Sequence, residues 1–189
     1  NMAYILKDQG KNDEALKAIE EARKTYPNDL NLILTQGDIY FKLGETEKFG
    51  EIMKQAIKED PTNHLLFFNL GVISADQKKN EEAKEYYKKA IELKPDYGDA
   101  YMNLAVVILD EEKAIVEQMN KNLSDFDAYD ALILKQKDVY KRALPYLEKA
   151  DEFGRSMNTV QTLMNIYGTL SMTEKTKEFT DLYRNLKEQ

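Results

Sequence analysis

Pro27, Pro61 and Pro95 stand 34 residues apart, and Ala22, Ala56 and Ala90 keep the same interval five residues ahead of them. A period of this length is one helix–turn–helix unit, too small to bury its own apolar face, so such units must stack on one another to make a core. The period restricts the fold to an all-α array of helix pairs. It also directs the search for function to surfaces rather than to an enclosed pocket.

Other residues keep the phase. The second unit reads Gln36-Gly37, Tyr40, Gly44, Met53, Ala56 and Pro61, and the third Phe67, Leu70-Gly71, Ala83, Tyr87, Ala90 and Pro95. The first keeps Leu6, Gly10, Ala15, Ala22 and Pro27. A fourth opens with Tyr101, Leu104-Ala105 and Ile108, loses register, and resumes at Ala143, Leu147 and Ala150 with 26 extra residues inside it. The fifth begins near Asn158 with Leu163 and Tyr167, but has Met164 at the small position and Tyr183 at the second Ala.

This pattern resembles the tetratricopeptide repeat across essentially the whole chain. The resemblance implies an all-α, right-handed superhelical solenoid of about five antiparallel helix pairs. It divides residues 1–189, as a single domain, into repeats of about 1–29, 30–63, 64–97, 98–155 with an insertion at 112–137, and 156–189. Because Asn1 falls in the middle of a first helix, the natural protein is expected to extend upstream.

The signature positions have physical reasons. Gly37, Gly71 and Ala105 on first helices, and Ala15, Ala83 and Ala143 on second helices, let two backbones approach closely. Phe49 is expected to lie over the bare backbone of Gly37. Tyr40, Tyr87, Tyr101 and Tyr167 fall on core positions. Asn12, Thr46, Asn80 and Thr173, each followed by acids, are expected to be N-caps. Ser124 with Asp127 has the pattern of a capping box, and Gly154 that of a helix C-cap.

Composition removes several function classes. A net charge of −7, with 27 Lys and Arg interspersed among 34 acids, argues against nucleic acid as a partner. Zero Cys leaves neither disulfides nor thiolate metal sites, and the single histidine, His64, reads as a surface or capping residue. There is no glycine-rich phosphate loop, so no cofactor and no enzymatic activity is expected. Asp125, Asp127 and Asp130 lack the glycine and terminal glutamate of a calcium loop. No apolar run reaches the ~20 residues of a membrane span.

The resemblance further implies that first helices line a concave groove. The family's groove positions fall on Asn31, Leu34, Thr35, Asp38, Phe41 and Lys42, then Phe68, Asn69, Val72 and Asp76, then Met102, Asn103, Val106 and Asp110. Asn69 and Asn103 share one phase, where a carboxamide can bond a peptide backbone. The carboxylate clamp of some family members is not expected, because Leu34, Asp38, Asp99 and Asn103 stand where it needs other residues and Asn69 alone matches. Apolar Leu34, Phe68, Val72, Met102 and Val106 beside Asp38, Asp76 and Asp110 would suit an apolar, positively charged segment.

The insertion reads as two lengthened helices, each gaining about 13 residues or roughly 20 Å. Pairing about Ser124 sets Ile108 against Tyr140, Glu112 against Gln136, Ile115 against Ile133 and Met119 against Tyr129. The tip is Leu123, Asp125, Phe126, Asp127, Tyr129 and Asp130, and Pro145 is expected to bend the returning helix. The insertion pattern, with its run from Ala143 to Ala150, resembles that of tetratricopeptide proteins of Bacteroidetes, many of them envelope-associated; this leaves the compartment open, with a lean to the periplasm or cell envelope. The function expected is a non-enzymatic scaffold for a protein or peptide partner. A regulatory domain of a larger enzyme or sensor, and a subunit self-associating through the hairpin, are the alternatives.

Overall fold

The computed structural model describes residues 2–188. These residues form eleven α-helices and no strand, and the chain divides into two compact units between Leu93 and Lys94.

The first unit contains α1 (Met2–Asp8), α2 (Asn12–Thr25), α3 (Leu30–Lys42), α4 (Thr46–Glu59), α5 (His64–Asp76) and α6 (Asn80–Leu93). Consecutive helices pair as α1 with α2, α3 with α4 and α5 with α6, and α3 and α5 also pack on the preceding pair. One core cluster joins Ala3, Ala15, Ile19, Leu32 and Ile39, and a second joins Ile33, Phe49, Ile52, Met53, Leu66, Leu70 and Ile73. Each buried Leu or Ile of this kind stabilises by about 1.5–3 kcal/mol relative to exposure.

The small residues sit where helices cross. A Cβ on Gly71 would lie 2.6 Å from Cδ1 and Cε1 of Tyr87, a ring that is 1% exposed. One on Gly37 would lie 2.7 Å from Met53 Cε and 3.5 Å from Phe49 Cδ2. Phe49 therefore does pack over Gly37, but the Met53 methyl makes the closer approach. Tyr87 and Tyr167 are fully buried, whereas Tyr40 and Tyr101 are half-buried.

The turn inside each helix pair differs from the capping expected. Asn12, Thr46, Asn80 and Thr173 are the first helical residues rather than caps, and the residues ahead of Asn12, Thr46 and Thr173 make no side-chain cap bond. The preceding helix closes instead with a Schellman turn, in which one residue takes a left-handed backbone. Those residues are Gly10 (φ 74°), Gly44 (φ 72°), Lys78 (φ 60°) and Ser171 (φ 60°). At Gly44 the amide donates to Phe41 O at 3.1 Å and the next amide, of Glu45, to Tyr40 O at 2.9 Å. Lys78 and Lys79 repeat this onto Ala75 O and Ser74 O at 3.0 and 2.8 Å, and Ser171 and Met172 onto Gly168 O and Tyr167 O at 3.0 and 2.9 Å. The acids that follow, Glu47, Glu81, Glu82 and Glu174 among them, occupy the first turn and favour the positive end of the helix dipole. Side-chain caps occur elsewhere, at Asp29, Asn63, Asp125 and Ser156.

The second unit contains α7 (Gly98–Leu109), α8 (Glu111–Lys121), α9 (Phe126–Gly154), α10 (Met157–Thr169) and α11 (Thr173–Lys187). Helix α9 packs on α7, α8 and α10, and α10 pairs with α11. The core joins Ala105, Leu147, Val160, Leu163, Ile166, Tyr167 and Phe179.

Three local expectations need correction here. The outgoing helix is not continuous, because a turn at Asp110 (φ −59°, ψ −25°) separates α7 from α8. The Asp110 carboxylate pairs with Lys113 Nζ at 2.6 Å, an i,i+3 contact within the first turn of α8. Second, the cap of α9 is Asp125, whose carboxylate accepts from Ala128 N at 3.0 Å, so the Ser124 and Asp127 capping box does not form. Third, Gly154 ends α9 as a helical residue, and the C-cap is Arg155 in an extended conformation (ψ 129°). Pro145 lies inside the 29 residues of α9, where the missing N–H removes one helical bond.

Replacing Lys78 or Ser171 by Gly is expected to raise stability by ~0.5–1 kcal/mol. The left-handed backbone costs an L-residue ~1–2 kcal/mol, and the flexibility of glycine gives back part of that gain. Urea midpoints measure it; a drop in both variants would show the turns to be different. By contrast, Gly71→Leu should destabilise by ~1–3 kcal/mol through collision with the Tyr87 ring, and an unchanged melting midpoint would contradict the crossing described.

Candidate peptide groove and helical hairpin

Within the first unit, α3, α4 and α5 enclose a cleft of about 630 Å³ lined by Asp38, Phe41, Gly44, Thr46, Phe49, Phe68, Asn69, Val72, Ile73 and Asp76. The helical repeat of α5 puts Phe68, Asn69, Val72, Ile73 and Asp76 along one side. The wall is aromatic: the Phe41 ring lies 5.3 Å from Phe49, and Phe68 lies 5.8 Å from Tyr87. Burial pushes the Tyr87 phenol up to about 12, so it stays neutral behind this wall.

Six of the ten groove residues expected in this unit line the cleft: Asp38, Phe41, Phe68, Asn69, Val72 and Asp76. The other four do not. Leu34 packs on the core, Thr35 Oγ1 donates to Asn31 O at 2.6 Å along its own helix, and Lys42 is exposed at the end of α3. Thr46, Phe49 and Gly44 were not anticipated, since projecting groove positions onto first helices omits the turn and the second helix, and Ile73, on α5, is not one of the family's groove positions. Ile73 and Phe49 carried only their ordinary apolar signal.

Charge on the rim is unequal. Lys7 Nζ lies 3.1 Å from Asp38 Oδ2 and offsets that carboxylate, while Asp76 is exposed and pairs with no described residue. The Asn69 carboxamide, half-buried, makes no hydrogen bond to the described residues.

The second-unit candidates stand in different surroundings. Asn103 Nδ2 donates to Asp99 O at 2.8 Å, so one of its donors is engaged on its own helix. Met102 lines a smaller cleft of about 340 Å³ with Tyr97, Asp99, Phe153 and Ser156. Val106 is exposed, and Asp110 is the junction residue paired with Lys113.

The hairpin of α8 against α9 has the expected polar layer. Gln136 Nε2 donates to Glu112 Oε1 at 2.7 Å, and the Tyr140 hydroxyl donates to the same oxygen. Burial first, and then the bond to Glu112, holds the Tyr140 phenol above its usual range. Arg142 reaches across with two bonds to Glu111, at 2.6 and 3.2 Å. Tyr140 thus meets the Glu112 layer, not Ile108 alone. Ile115, Met119, Tyr129 and Ile133 are half-buried, while Leu132 and Val139, which the pairing omitted, are the buried residues. Their spacing with Ala143 and Leu147 was the available signal. Of the tip residues, Leu123, Asp125, Phe126, Asp127 and Asp130 are exposed and Tyr129 is half-buried.

Paired helices with small residues at the crossings define an all-α solenoid class of repeat protein. Tetratricopeptide repeats are present in this chain: family matches cover residues 6–69 and 65–97. The fold is also that of MamA, whose crystal structure superposes with a TM-score of 0.70 at 19% identity over 100% of this chain and 95% of that one. A second MamA structure, from Desulfovibrio magneticus RS-1, has a TM-score of 0.65 at 15% identity, covering 100% and 90%. YrrB, described as a TPR protein with an unusual peptide-binding site, has a TM-score of 0.53 at 18% identity, covering 84% and 86%. No curated protein is close enough in sequence to count as a match. None of the helices described is long and apolar enough to cross a membrane.

Glu112→Ala should destabilise the chain by ~1–3 kcal/mol, because Gln136 and Tyr140 lose a shared acceptor in a half-buried seam. Replacing Glu112 and Gln136 together by Leu is expected to recover most of that loss. Equal melting curves for wild type and Glu112→Ala would show the layer to be solvated.

Proposed function

We propose that this chain is a non-enzymatic scaffold that holds an apolar, positively charged segment of a partner protein or peptide in the cleft of α3, α4 and α5. The observation that carries this reading is an aromatic-walled concavity whose rim offers an uncommitted carboxamide, Asn69, and an unpaired carboxylate, Asp76. An apolar side chain gains by entering the space between Phe41, Phe49 and Phe68. Asn69 can both donate to and accept from an extended backbone, and a Lys or Arg on the segment pairs with Asp76. Asp38 contributes less because Lys7 already faces it. The repeats themselves support a protein or peptide partner, as does the peptide-binding site described for YrrB.

The repeat boundaries belong to the same proposal: 1–29, 30–63, 64–97, 98–155 and 156–189, with 112–137 inserted in the fourth. In support, the left-handed turn recurs at Gly10, Gly44 and Lys78, and the next step of the period reaches Glu112. Glu112 lies on α8, so the chain continues outward where the earlier units turn back.

Selection of random peptides on the immobilised chain tests the proposal. Enriched sequences should combine an aromatic or aliphatic residue with Lys or Arg. Asn69→Ala should weaken their binding by ~1–2 kcal/mol, Asp76→Asn should weaken it and reduce its salt dependence, and Asn103→Ala should do less than either. Enrichment of acidic peptides, or binding indifferent to both Asn69 and Asp76, would sink the assignment.

A further inference from the structure

We propose that the tip of the α8/α9 hairpin is a second docking surface, sharing no residue with the cleft, for a cationic amphipathic segment of another protein. Phe126, Leu134 and Leu123, at 80%, 68% and 66% exposure, are the most exposed large apolar side chains of the second unit. A single exposed leucine calls for no explanation, but these three fall within residues 123–134. Phe126, Asp130 and Leu134 follow at intervals of four on α9 and so share one face. Leu132 and Val139, in the other phase, are buried. The α9 helix therefore turns one apolar stripe inward and leaves a second stripe uncovered at its start.

Charge selects the occupant. Residues 122–134 carry Asp125, Asp127 and Asp130 and no Lys or Arg, and with the exposed Lys135 that follows them the net charge is still −2. Asp125 is engaged as the α9 cap, whereas Asp127 and Asp130 form no ion pair with the described residues. The nearest cation before the tip, Lys121, is taken up by Glu117 at 2.6 Å. An anionic membrane face and a nucleic acid are both repelled by such a surface. So is the tip of a second copy, since the same three carboxylates would meet. A protein segment presenting apolar side chains with flanking Lys or Arg meets both requirements, burying Phe126 and Leu134 while its cations face Asp127 and Asp130.

The test uses the whole chain and a fluorescein-labelled amphipathic Leu/Lys peptide, with a Leu/Glu peptide of the same pattern and phosphatidylserine vesicles as counterparts. Binding of the Leu/Lys peptide alone is expected. The double variant Phe126→Ser, Leu134→Ser should weaken it by about tenfold or more. Asp127→Asn with Asp130→Asn should weaken it and flatten its dependence on salt. All four side chains replaced lie on an exposed surface, so melting curves should shift little, Asp127→Asn giving up only the ~0.3–1 kcal/mol of a first-turn acid. In the unsubstituted chain, peptide addition should slow amide hydrogen exchange within 122–134, a readout independent of any variant. Equal binding of both peptides, binding to the vesicles, full binding by both double variants, or protection confined to other residues would each overturn the proposal.

Discussion

The close approach at Gly71 governs the geometry of the third helix pair. The place a Cβ would take is filled by the ring of Tyr87, and that ring in turn supports Phe68, the aromatic at the edge of the cleft. A bare backbone at one residue thus sets the distance between α5 and α6, and with it the direction from which α5 presents Phe68, Asn69, Val72 and Asp76. Gly37 plays the same part for α3 and α4, with Met53 and Phe49 filling the space. Packing at these crossings is dense, so the shape of the cleft depends on Gly37, Gly71, Met53 and Tyr87, which do not line it.

The turns inside the helix pairs show how a repeat reuses one backbone solution with different side chains. Gly10 and Gly44 take the left-handed conformation at no steric cost, while Lys78 and Ser171 adopt it against their preference. Two backbone bonds close each of these turns, which is enough to hold the conformation once the helices on either side are packed. At Asp110 the backbone stays right-handed, and the chain proceeds into α8 instead of reversing.

The two surfaces differ in how their charges are satisfied. In the cleft, Lys7 offsets Asp38 while Asp76 pairs with no described residue; in the hairpin seam, Glu112 is consumed by Gln136 and Tyr140. A carboxylate that already accepts two hydrogen bonds pins the pairing of two helices. One that accepts none is available for recognition.

Much of this was legible in the sequence, because periodicity is a local property. The interval between prolines, the small residues at crossings and the apolar phase of each helix fixed the helix pairs, and pairing about Ser124 placed Glu112 opposite Gln136 before any coordinates. Of the residues that line the cleft, Asp38, Phe41, Phe68, Asn69, Val72 and Asp76 were among the groove positions that the resemblance to the tetratricopeptide repeat implied. Periodicity could not say that Thr46 and Phe49 complete the wall, that Lys7 reaches Asp38, or that Asn103 turns back on Asp99 while Asn69 does not. Nor could it separate a cap from a first helical residue at Thr46, or show the break at Asp110. These depend on which side chains meet across helices and on single backbone dihedrals, and both are decided only when the packed chain chooses among conformations that its local sequence leaves nearly equal in energy.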